Sequence, residues 1–346
     1  MRKAFFLLIL TIFTVLPIFS ETVGLKDFCL LYLSGSDAIS TAEENLENAE
    51  LDLEGARAAR VSALDMINYE TAYTKAQLDL TDIKNAELIK ALQDYINLEA
   101  AELNVRLTQS ALDAAEQTAQ AEKKQYDLGL ISETDYLNKR LTLLTSEEAA
   151  AKAKRTLEDK LTEIKRAVGF DLSPAELGLK IENLLDKLTI TSYEKAAEFD
   201  AELFRAKNDL VVKQKSASAI SSSPYASNEE IENSTKELEA AETALQKAEW
   251  ALYDSVLSLN RQTEDLRKSY KKELLNMDLA KIALESAELK TSYGEKTELD
   301  LLKAKNSYQS SLNSFDNLAG SIFIQLFLIE QIMDGDCQKL LDNMAD

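Results

Sequence analysis

From Ala38 onward, small and apolar residues return every three or four positions. Ala42, Leu46, Ala49, Leu53 and Ala56 share one face of a helix at that spacing. The pattern predicts a rod to about Asp65 and a second from about Asn68 to Leu128. A tight reversal is expected within Asp65 to Glu70, although no glycine or proline marks it. The competing reading is one helix from Ala38 to Leu128, about 135 Å long at ~1.5 Å per residue. Further on, Leu137, Leu141 and Leu144 alternate by four and three. Glu148 breaks the series, and Leu157, Leu161, Ile164 and Val168 resume it in a shifted register. This predicts a coiled-coil seam with a charged gap and a slip. Ala149, Ala150, Ala151 and Ala153, between the two stretches, suit a close helix approach.

Lone glycines punctuate these rods. Gly129 lies in Tyr126-Asp127-Leu128-Gly129-Leu130-Ile131-Ser132-Glu133-Thr134-Asp135, and no other glycine or proline occurs between Gly55 and Gly169. Glycine adopts positive φ without a Cβ clash. Ser132 or Thr134 can cap the following helix, with Glu133 and Asp135 at its positive end. The stretch reads as the tip of a long antiparallel hairpin. Setting Gly129 on Gly294 places Ser132 on Thr297, Asp135 on Asp300 and Leu137 on Leu302. The doubled tip predicts an internal duplication.

The rest of the order follows from pattern and turn chemistry. A short helix is expected over Leu25 to Leu33, with a break and a new cap at Ser34 to Asp37. Residues 170–199, which contain Pro174 and Gly178, read as a connector with short helices lying sideways against the rods. A helical pattern resumes from Asp200 to Ala219. Ile220 to Asn228 is a turn by composition, Glu229 to Tyr293 a long rod, and Lys296 to Ile332 its return. The returning seam includes Phe315, Leu318, Ile322, Leu326, Ile329 and Met333. Ser321 to Met333 reads as a buried helix end, and the tail after Asp334 as short and polar. The fold expected is all-α, two tandem repeats of long antiparallel helical hairpins. Residues 21–169 form the first repeat, 170–199 the connector and 200–346 the second.

Composition adds targeting and excludes several functions. Arg2 and Lys3 precede an apolar run from Ala4 to Phe19, which reads as a signal peptide over residues 1–20 in preference to a membrane anchor, since the run is shorter than the ~20 residues that span a bilayer. The formal net charge of −21 argues against nucleic-acid binding. Cys29 and Cys337 are either bridged in an oxidising compartment or two buried free thiols, the second being preferred. The chain has no histidine, which removes histidine-based triads and most zinc sites. It has no dinucleotide or phosphate-loop motif. Pairs such as Glu43-Glu44, Glu147-Glu148 and Glu229-Glu230 read as solvated helix faces. No cofactor and no catalytic residue are assigned, and the expectation is that the protein is not an enzyme.

Taken together, the chain resembles the outer-membrane efflux (TolC) family over nearly its whole mature length. The residues that carry this are the short first helix and the run Gly55-Ala56-Arg57-Ala58-Ala59-Arg60. To these are added the tips Tyr126, Gly129, Ser132, Asp135, Leu137 and Tyr293, Gly294, Thr297, Asp300, Leu302. Val168-Gly169 with Pro174 and the duplication complete the match. The resemblance implies a homo-trimer around a lumen, in the periplasm and associated with the outer membrane. It also implies that the tips form the entrance and meet a periplasmic adaptor and an inner-membrane pump. By position, Gly129, Leu130, Ser132, Thr134 and Asp135 would carry that contact in the first repeat, and Gly294, Thr297 and Asp300 in the second. Glu295 stands where the first tip has Leu130.

The chain also departs from the family pattern. In the family a proline and two long membrane strands follow at the reversal remote from each tip. Here Val61-Ser62-Ala63-Leu64 follows the Ala-Arg run, and neither Asp65 to Thr74 nor Ile220 to Asn228 holds two strands of the ~9–11 residues that span a bilayer. The barrel strands are expected to be absent or vestigial. Two functions remain open: a helical tunnel component of an efflux or export system, or a barrel-less periplasmic spacer or scaffold without transport activity.

Overall fold

A computed structural model of the chain describes residues 22–169, 173–174, 185, 188–333 and 335–344. The signal peptide expected at 1–20 and most of 170–187 lie outside them. In chain order the elements are β1 (Thr22–Val23), α1 (Leu25–Ser34), α2 (Asp37–Ala59), α3 (Ala63–Asp127) and α4 (Glu133–Val168). Then come β2 (Ser173–Pro174), α5 (Tyr193–Phe199), α6 (Ala201–Ser221), α7 (Asn228–Ser292), α8 (Glu298–Met333) and α9 (Cys337–Met344). β1 and β2 form a two-residue parallel pair, Thr22 beside Ser173 and Val23 beside Pro174. Among the described residues there is no other strand.

The duplication is written into the element lengths. α3 and α7 have 65 residues each, and α4 and α8 have 36 each. Gly294 follows Gly129 by 165 positions (294 less 129). The same step carries the cap Ser62 onto the cap Ser227, and Ser132 onto Thr297. Each long helix spans about 100 Å. Isolated amphipathic rods of this length depend on neighbours for stability. Lateral contacts run α4 to α3, α3 to α8 and α8 to α7; α2 lies on α3, and α6 on both α7 and α3. α3 therefore touches both repeats, and α4 and α7 are the outer members of the row.

The core lies around the middle of the rods. Leu88, Leu92, Tyr95 and Leu98 of α3 meet Phe28 and Cys29 of α1, Ile164 of α4, and Ile322, Phe323, Leu326 and Phe327 of α8. The apolar end of α8 is buried here, as its sequence predicted. The segment before α5 is pinned to α7: the Thr191 amide donates to Asn260 Oδ1 (2.8 Å), Asn260 Nδ2 donates to the Thr191 carbonyl (3.0 Å), and the Arg267 guanidinium donates to the Leu188 carbonyl.

Three expectations need correction, and one open alternative is decided. The first reversal lies at residues 60–62, not at Asp65 to Glu70, and the unbroken helix from Ala38 to Leu128 is excluded. Arg60 takes the left-handed conformation (φ 53°) and Ser62 Oγ accepts the Asp65 amide at 3.1 Å. The tail is not a polar end but α9, whose Cys337 and Leu341 enter the core. Asn85 of α3 anchors it, donating from Nδ2 to the Gly335 carbonyl (2.9 Å) and accepting the Cys337 amide (3.0 Å). The two leucine series of α4 are not one slipped seam. Leu137, Leu141 and Leu144 are exposed, whereas Leu157, Leu161, Ile164 and Val168 pack on the core. The seam towards α3 passes instead through half-buried Tyr136 and Leu143 and buried Ala150 and Ala153. Finally, Cys29 and Cys337 are both free and buried, the preferred alternative. Burial pushes each thiol up to about 12.

Candidate functional site

The tips are built by matched local chemistry. At the first, Gly129 has φ 72° and the Leu130 amide donates back to the Gln125 carbonyl (2.8 Å), closing α3 with a Schellman-type bond. At the second, Gly294 has φ 74° and the Glu295 amide donates to the Lys290 carbonyl (2.8 Å). The return helices are capped alike. Ser132 Oγ accepts the Asp135 amide (3.2 Å) and donates to Asp135 Oδ2 (2.6 Å). Thr297 Oγ1 accepts the Asp300 amide (3.1 Å) and donates to Asp300 Oδ2 (2.8 Å), which also accepts the Thr297 amide (3.1 Å). These bonds favour the carboxylate and lower the Asp300 pKa. Ser132 is therefore the cap, and Thr134 lies exposed in the first turn of α4.

The two tips differ in surface. Leu128 and Leu130 protrude at the first, 74% and 69% exposed, while Tyr126 and Tyr136 stack across the turn at 4.8 Å. The second offers Tyr293, 74% exposed, and the charged Glu295. The 165-residue step places Tyr126 on Thr291 and Leu128 on Tyr293, so the two tip tyrosines are not equivalent positions. The structure thus brings Gly129, Leu130, Ser132, Thr134 and Asp135 together at one tip, and Gly294, Thr297 and Asp300 at the other.

One surface escaped sequence reasoning. On α7, Leu275, Leu279, Ile282 and Leu289 are all well exposed, at the four-and-three spacing of a seam. They form the counterpart of the exposed Leu137, Leu141 and Leu144 on α4. The heptad was visible in the sequence, but periodicity does not tell which way a stripe faces.

The far end of the rods carries only short connections, residues 60–62 and 222–227. Neither holds a membrane strand. Among the described residues, α8 is the one helix whose length and apolarity would allow it to cross a membrane. Its apolar end is the buried core face described above.

No family model matches the sequence, and no curated protein matches it. Solved structures do. The CmeC outer membrane channel of Campylobacter jejuni aligns over 93% of this chain and 89% of its own, at TM-score 0.68 and 12% identity. A membrane protein from Pseudomonas aeruginosa aligns over 89% and 90%, at 0.67 and 13%. The outer-membrane channel OprN aligns over 91% and 90%, at 0.67 and 13%. Similarity at these identities speaks for the fold. The chain has the all-α, doubled helical-hairpin fold of the TolC-like outer-membrane channels, with short turns in place of their barrel strands.

Proposed function

We propose that the protein is a helical tunnel component of an efflux or export system, formed when copies associate edge to edge around a lumen in the periplasm. The observation that carries this is a pair of exposed apolar stripes, one on each outer helix and both near the tips. Leu141 lies 12 residues after Gly129 and Ile282 lies 12 before Gly294; Leu144 and Leu279 are each 15 from the same glycines. With the tips level, α4 of one copy and α7 of the next present their exposed apolar stripes in the same tip-proximal turns. Such a contact is heterologous, so it closes a ring when the rotation per copy allows it. A trimer is the ring that the resemblance implies.

The tips then sit around one opening. Leu128 and Leu130, presented by Gly129 beside the Ser132–Asp135 cap, would with the exposed Thr134 give a periplasmic adaptor a largely apolar contact. Gly294, Thr297 and Asp300 shape the second, more polar contact. An inner-membrane pump would lie beyond the adaptor. The short far-end turns favour a second reading, a barrel-less spacer or scaffold with no transport activity.

Mass measured in solution separates the two. The tunnel reading expects a closed oligomer, and Leu141→Glu with Leu144→Glu, or Leu279→Glu with Ile282→Glu, should each yield monomers. Mixing the two variants should restore a pair, because each keeps one intact edge, but no ring. A wild-type monomer at tens of micromolar, with and without detergent, would exclude the tunnel and leave the spacer.

A further inference from the structure

A cavity of about 740 Å³ opens between α2, α3 and the segment that joins α8 to α9. Its size suits a drug-sized ligand. Leu33, Ile39, Leu78, Leu88 and Phe199 give it apolar walls, and Asp82 of α3 lines it with them. The surrounding acids have partners of their own. Glu43 pairs with Lys84 (2.9 Å), Asp79 with Lys75 (2.9 Å) and Asp336 with Lys339 (3.5 Å). Asp200 Oδ1 accepts the Leu203 amide at the start of α6 (2.6 Å). Among the described residues the half-buried Asp82 carboxyl has no hydrogen bond and no ion pair. Burial, then the charges of Asp200 and Asp79, push it up to about 6.

We infer that this cavity binds an organic cation with an apolar body, its ammonium group on Asp82 and its hydrocarbon against Phe199 and the leucines. A single unpaired carboxylate offers too few oxygens for a calcium ion, which takes 6–8. An anion would meet Asp82 and Asp336, while Lys84, which also lines the cavity, is already paired with Glu43. A neutral apolar molecule would displace water from Asp82 without giving it a partner, whereas an ammonium group removes that cost. The inference does not depend on how copies of the chain assemble.

The test uses 1-naphthylmethylamine and its neutral isostere 1-naphthylmethanol, followed by fluorescence anisotropy on the full chain. The amine should bind about tenfold or more tightly than the alcohol at pH 8, a margin of about 1.4 kcal/mol. That preference should fade as the pH falls through about 6, since the amine stays charged over this range. Asp82→Asn should abolish the preference, and Phe199→Ala should weaken both ligands. Equal binding of the two probes to wild type, absence of binding at millimolar concentration, or a preference that survives Asp82→Asn would each overturn the inference. If Asp82→Asn does not fold, the amine-to-alcohol ratio and its pH dependence in wild type still decide it.

Discussion

A half-buried acid among other acids costs stability in a pH-dependent way, and Asp82 is such a residue. Its pKa rises from 3.8 to about 6 on folding. Between those values the folded chain binds more protons than the unfolded one, so stability is highest below about pH 4 for this group and falls as pH rises through 6. Water still reaches about half of the carboxyl, which reduces the full effect to about 1 kcal/mol. Asp82→Asn should raise unfolding stability by about that amount at pH 8 and leave it unchanged near pH 4, read by urea titration at the two pH values. Nothing in the sequence set Asp82 apart. It is one of 60 acidic residues on helices where acids are common. Its distinction arises from burial beside Phe199 and from the charge of Asp200, both delivered from more than 100 positions away, with Asp79 adding to it from one turn earlier.

At the scale of elements, what could be read depended on which residue supplies each turn. The tips were legible because Gly129 and Gly294 supply positive φ, and because Ser132 and Thr297 follow at capping distance. The first far-end turn was not, because Arg60 supplies the left-handed residue there (φ 53°) without a glycine to mark it. Its cap, Ser62, sits inside what looks like continuous helical sequence. Neighbouring substitutions should therefore act in opposite directions. Arg60→Gly should stabilise by about 0.5–1 kcal/mol, through relief of the Cβ clash. Ser62→Ala should destabilise by about 1 kcal/mol, through loss of the bond to the Asp65 amide. Shifts in the urea midpoint at constant slope would show both.

For the whole molecule, repetition was legible and closure was not. The two hairpins, their tips and the buried end of α8 followed from periodicity and glycine placement. α9 did not, because eight residues with charges at Lys339 and Asp342 look like a solvated end. Yet α9 seals the core: Cys337 and Leu341 are buried, and Lys26 of α1 pairs with Asp342 at 3.1 Å. Ending the chain after Gly335 should uncover Phe327 and leave Asn85 Oδ1 without the Cys337 amide. A loss of about 3–5 kcal/mol is expected, seen as a lower melting temperature by circular dichroism. Retention of the wild-type melting temperature would show that α9 contributes nothing to the core.

The equal shafts of the two hairpins impose a rule on how this chain can vary. Removing three residues from one long helix would retract its end by about 4.5 Å and turn every side chain beyond the deletion by about 60°. The other hairpin would keep its reach. Changes of length are therefore tolerated only in matched sets, one in each limb of a hairpin and again in its twin, like teeth filed from both blades of a pair of combs.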